Sequence, residues 1–111
     1  MWVFMSDAFI SIVAHRTKPD VLLARARRSG DLKRAFPWVK EKRTPAADYL
    51  YRAEISRSHL SAHLESLVHT IDYDNFKGSV RDPARHKAYL EVWTSMKRYQ
   101  GHVRPRQARR R

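Results

Sequence analysis

Cysteine is absent from this chain. Disulfides, thiolate zinc sites and cysteine nucleophiles are therefore excluded, and the absence suits a reducing cytoplasm. Glycine is nearly as scarce, at three residues. Neither GxGxxG nor GxxxxGKS/T occurs, and so few glycines leave little backbone to cradle a nucleotide phosphate. A serine nucleophile elbow is missing as well. No apolar run approaches the roughly 20 residues that span a bilayer. The opening "MWVFMSDAFISIVAHR" places its apolar residues before its positive charges, the reverse of a signal peptide. These absences direct the reading to a cytoplasmic, non-membrane protein with no cofactor, no metal and no assigned catalytic residue.

Acidic residues are also few. Eleven Asp and Glu face 23 Lys and Arg, a formal net charge of +12. Such an excess attracts polyanions: nucleic acid, an acidic protein or an anionic surface. The last ten residues, "HVRPRQARRR", hold five arginines and no acid; +12 less these five leaves +7 on residues 1–101. A chain of 111 residues that is 42% hydrophobic can bury one modest core.

Strand patterns dominate the first half. In "AFISIVAHR", Ala8, Ile10, Ile12 and Ala14 share one face, while Phe9, Ser11, Val13 and His15 share the other. "WVFM" can pair back across a Ser6–Asp7 turn, and "TKPD" is turn chemistry. "VLLARARR" alternates Leu22, Ala24 and Ala26 with Val21, Leu23, Arg25 and Arg27, although Ala and Arg also favour helix. "SGDLKRAF" reads as a short helix, with Ser29 or Asp31 near its N-cap and Pro37 closing it. "WVKEK" is a short candidate strand. "DYLYRAEI" is a further strand, with Tyr49, Tyr51, Ala53 and Ile55 on one face and Asp48, Leu50, Arg52 and Glu54 on the other.

Two helices complete the pattern. Leu60, Leu64, Leu67, Val68 and Ile71 form one stripe, capped by Ser56 or Ser58. The second helix starts at Asp82–Pro83, carries Tyr89, Val92, Trp93, Met96 and Tyr99 or Gln100 as its stripe, and stops at Gly101. The expected fold is α+β: a single domain over residues 1–101, an antiparallel sheet with the two C-terminal helices on one face. A ferredoxin-like topology is a variant. Residues 102–111 have nothing to bury and are expected to be a disordered Arg-rich tail.

Three constellations invite chemistry. "IDYDNFKGSVRDPARH" clusters Asp72, Asp74, Asp82 and His86, a set suited to acid–base work or a divalent ion. Ordinary helix grammar explains the same residues as a joint between two helices, and that reading takes precedence. His59 and His63 lie four apart on a helix, as metal-binding pairs do. HExxH is absent, and a solvated flank is the plainer account. Tyr49 and Tyr51 either stack bases or fill the core, with the core preferred.

The basic cluster Arg25, Arg27, Arg28, Lys33 and Arg34 is the main candidate for phosphate contact, and Arg25 and Arg27 would project together from one strand face. The tail adds Arg104, Arg106, Arg109, Arg110 and Arg111.

Two segments, "WVFMSDAFISIVAHRTKPDVLLARARRSGDL" and "DYDNFKGSVRDPARHKAYLEVWTSMKRY", together resemble a set of small bacterial and phage-encoded proteins whose chemistry is uncharacterised. The resemblance spans over half the chain. It implies an intracellular bacterial or phage setting and a small accessory or inhibitor protein acting by contact. It implies no catalytic residues. The expected function is therefore a non-enzymatic binding protein that contacts a polyanion, nucleic acid first. The alternative is a protein-interaction module or inhibitor on an acidic protein surface.

Overall fold

The computed structural model describes the backbone of residues 1–108 and the side chains of residues 1–102. The chain divides into two compact units, Met1–Asp74 and Asn75–Arg111. The boundary falls inside the segment read as a joint.

The first unit holds a five-stranded, wholly antiparallel sheet, the α+β class that the strand-then-helix order predicts. Its strands are β1 (Trp2–Phe4), β2 (Phe9–Ala14), β3 (Val21–Ala26), β4 (Lys42–Arg43) and β5 (Tyr51–Ser56), in the order β1-β2-β3-β5-β4. β1 and β2 form the expected hairpin, closed where Met5 N–H donates to Ala8 O at 2.8 Å. The β2–β3 turn is held by His15, whose Nδ1 accepts from Thr17 N–H and Lys18 N–H at 3.2 Å each.

Between β3 and β4 lies α1 (Asp31–Ala35), and β5 runs directly into α2 (Arg57–Val68). Gly30 starts α1 with φ 90°, a left-handed conformation that L side chains rarely adopt, and a Cβ there would also meet Arg34 Nη1 at 2.9 Å. Asp31 follows it, buried. Its carboxylate accepts Phe9 N–H at 3.0 Å and pairs with Arg34 at 2.6 Å. Ser56 is the α2 cap: its hydroxyl accepts from His59 N–H at 3.2 Å.

One sheet face carries the core. Ala8, Ile10 and Ile12 from β2 and its approach, Ala24 and Ala26 from β3, and Ala53 and Ile55 from β5 pack against Leu32, Ala35 and Phe36, with Val39 and Leu60. These are the strand faces that alternation predicts. Alanines on the central strands leave room for α1 to lie close, and Leu32, Ala35 and Phe36 are all essentially inaccessible to solvent.

Three details depart from the sequence expectation. "WVKEK" is not a strand; β4 is reduced to Lys42–Arg43. Val39 N–H donates to Phe36 O in a turn, which sends both side chains into the core, whereas residues three apart on an extended chain point to opposite faces. β5 begins at Tyr51, so Tyr49 precedes the regular alternation and does not share a face with Tyr51. The α2 stripe is buried only at its start: Leu60 is core, Leu64 packs against it, and Val68 and Ile71 are exposed.

The second unit contains α3 (Phe76–Ser79) and α4 (Pro83–Ala108). Asn75 caps α3 through Gly78 N–H. Asp82 caps α4, its Oδ2 accepting from Arg85 N–H at 2.9 Å with Pro83 at the first helical position, as expected. Gly101 does not stop this helix. A glycine costs about 1 kcal/mol against alanine in a helix interior, which a long helix absorbs. The backbone is helical through Ala108 where disorder is expected from 102; Arg109, Arg110 and Arg111 lie outside the described residues.

The expected burial of Val92 and Trp93 is not observed. Tyr89 is buried and stacks on Phe76, but Val92, Met96 and Tyr99 are exposed and Trp93 is 45% exposed. Within this unit α3 is a single short turn of four residues and covers little of a 26-residue helix. Lys77 and Lys97 instead lie over the Trp93 ring, 4.1 and 5.2 Å from its centroid.

Candidate functional site

The sheet face opposite the core is organised by strand register. Trp2 pairs with Ser11, Ser11 with Arg25, Arg25 with Arg52, and Arg52 with Lys42. Directly opposed residues in antiparallel strands project to the same side, so these five form one row across the whole sheet. At the usual spacing of about 4.8 Å between strands, the row is about 19 Å long.

The middle of the row is dense in guanidinium. Arg25 Nη2 donates to Ser11 Oγ at 2.8 Å. Its guanidinium carbon also sits 4.4 Å from the Tyr49 ring centroid, and that of Arg27 sits 4.1 Å from the same centroid. Tyr49 is only 4% exposed, so it is buried as expected, but beneath arginines rather than in the core cluster. Arg27 is further held by donating from Nη1 to Asp48 O at 3.2 Å.

Arg52 stands opposite Arg25 and reaches Asp48 at 3.6 Å, a pair whose acid is 70% exposed and thus weak. Like charges directly opposed across strands are destabilising. Arg25 Nε and Arg52 Nε are both shielded and have no hydrogen-bond partner. Adjacent strands thus bring two guanidiniums together at a local cost, each with its Nε closed off from solvent and unpaired.

The neighbouring row differs. Val13, Leu23 and Glu54 follow one another there. Glu54 receives Lys18 Nζ and His15 Nε2, each at 3.2 Å. The hydrogen bond from Lys18, then that from His15, holds its carboxyl below the usual carboxylate range. The acid at this end of the face is therefore already satisfied by its own cations.

Register and packing split the basic cluster read from sequence. Arg25 and Arg27 do project together. Lys33 and Arg34 lie on α1, which covers the core face, and are thus on the other side of the sheet. Arg34 is occupied by Asp31 and by Asp7 O at 2.9 Å. Arg28 is exposed beyond the end of β3. Arg104 and Arg106 fall within the α4 backbone, while their side chains, like Arg109, Arg110 and Arg111, lie outside the described residues. Sequence reasoning missed Arg52, Lys42 and Trp2 as members of the row. Alternation does place Arg52 opposite Ala53; its pairing with Arg25 is non-local and carries no local signal.

The other constellations resolve into structure. His59 stacks on Trp38 at 3.8 Å between centroids, and His63 Nε2 donates to Ala35 O at 2.7 Å with its ring beside Phe36. The pair thus serves an aromatic cluster. Among the described residues no group of three or more His, Asp or Glu could hold a metal ion, and no helix is long and apolar enough to cross a membrane. No family model, curated protein or solved structure matches this chain.

Proposed function

We propose that this protein binds a polyanion, nucleic acid in the first place, through the sheet face bearing Arg25, Arg27, Arg52 and Lys42, and that it does so without catalysis. The observation that carries the reading is the direct opposition of Arg25 and Arg52 on adjacent strands, in one row that continues to Lys42. Two like charges brought together at a local cost are offset when a phosphate lies between them and accepts from both. Tyr49 holds Arg25 and Arg27 in place before binding, which lowers the ordering cost of contact. The tail arginines add sequence-independent contacts in this reading, and the setting is the bacterial or phage cell interior that the resemblance implies.

A second reading is a protein-interaction module on an acidic surface. The exposed Val92, Trp93 and Met96 on α4, set among lysines, favour it.

The test is a salt titration of affinity for nucleic acid. Neutralising phosphates releases counterions, so log affinity falls with log salt by about 0.7 to 0.9 per contact, or about 3 for four cations. Replacing Arg25 and Arg52 together by Gln removes most of the affinity and flattens the slope. Lys33→Glu, on the other side of the sheet, changes affinity little. No salt-sensitive binding near physiological ionic strength would defeat the reading and put the acidic-protein alternative first.

A further inference from the structure

We infer that the sheet face takes single-stranded rather than duplex nucleic acid, with Trp2 as the platform on which a base stacks. This inference rests on the polyanion reading above and names the kind of strand. The row that carries the arginines ends, on β1, in an indole that is 63% exposed. An aromatic side chain left in solvent at one end of a basic row offers a flat apolar surface on which any base can stack. A duplex hides its base faces in the stack and offers the same row only phosphates.

Trp2 is also held ready. Its ring makes edge contacts with Phe9 at 5.9 Å and 81° and with Phe4 at 6.4 Å and 78°, so the indole is braced without being covered. Two strand spacings, about 10 Å, separate its strand from that of Arg25. Between them Ser11 is short, and its hydroxyl is engaged by Arg25. A strand crossing the sheet along this row meets a stacking surface first and then guanidiniums on two adjacent strands. A purely structural role for Trp2, in the aromatic cluster with Phe4 and Phe9, accounts for the edge contacts but gives no place to the neighbouring charges.

The test uses the full chain and three fluorescent probes: a short oligo(dT), a mixed-sequence duplex of the same length and an inorganic polyphosphate. The expected result is tighter binding of oligo(dT) than duplex at equal salt, with quenching of tryptophan fluorescence. Trp2→Ala should weaken oligo(dT) binding by about 5- to 150-fold, the span for losing one stacked base. It should leave the salt slope and the other two probes unchanged. Trp2→Phe, which keeps a ring, should recover part of the loss. Equal weakening of all three probes by Trp2→Ala would assign the indole to hairpin stability and overturn the inference. Duplex binding as tight as oligo(dT) would also overturn it while leaving the polyanion reading intact. Binding to none of the probes would remove both.

Discussion

Arg27 rests its guanidinium carbon 4.1 Å from the ring centroid of Tyr49, on the sheet face away from the core. Arg25 shares the same ring at 4.4 Å. A buried phenol ring thus holds two cations of the same strand face together, through its electron-rich π system. Burial of Tyr49 and exposure of Arg27 are two sides of one contact.

From that contact, Tyr49→Phe should leave stability near that of the parent, because the ring and its quadrupole remain. Tyr49→Ala should cost about 3 kcal/mol, in the range for removing a buried aromatic. A double-mutant cycle between Arg27→Ala and Tyr49→Ala should return a coupling of about 0.5–1 kcal/mol. Urea denaturation of the four proteins measures it, and zero coupling would mean that the contact contributes nothing.

Asp31 and Arg34 are not equal partners. Asp31 accepts both Phe9 N–H and Arg34, so Asp31→Ala should cost about 2–3 kcal/mol, as loss of charged hydrogen bonds at a buried site does. Arg34 is 45% exposed on its side chain, and Arg34→Ala should cost about 1 kcal/mol. The reverse order in chemical denaturation would contradict this geometry.

Trp93 and Phe36 test where the apolar core lies. Phe36→Ala should cost about 3–5 kcal/mol. Trp93→Ala should cost less than about 1 kcal/mol, because the indole is half in solvent beneath Lys77 and Lys97. A core-sized loss for Trp93 would show that α4 buries its stripe.

Glu54 provides a pH signature. Its folded-state carboxyl is held below the ordinary range, first by Lys18 and then by His15. A depressed carboxylate contributes stability above its unfolded-state value, and that contribution is lost as pH falls through the folded value. Glu54→Gln should therefore lower the denaturation midpoint slightly at neutral pH, with the gap from the parent closing in acid. A gap that widened in acid would reverse the assignment.

Much of the first unit was legible because a sheet with one buried face imposes a strict period of two. Ile10 and Ile12, Ala24 and Ala26, Ala53 and Ile55 each fall where that period puts them. Helix starts were legible too, since Ser56 and Asp82 bond to amides only three residues away. The helical stripes were less informative. A stripe such as Tyr89, Val92, Trp93 and Met96 says which residues share a side of the helix, not whether anything covers that side.

The sequence by itself determined the basic excess, the lack of cysteine chemistry and phosphate-loop glycine, the alternating strand faces and the capped helix starts. Each depends on composition or on neighbours a few residues apart. Tertiary structure alone decided that Arg25 faces Arg52, that Trp2 and Lys42 end the same row, and that Lys33 and Arg34 lie across the sheet from Arg27. Strand order and register set these relations between residues far apart in the chain, and packing of Leu32 and Ala35 on the alanine face sets the side that α1 occupies. No local pattern encodes either, because both follow from which long-range pairing buries the most apolar surface.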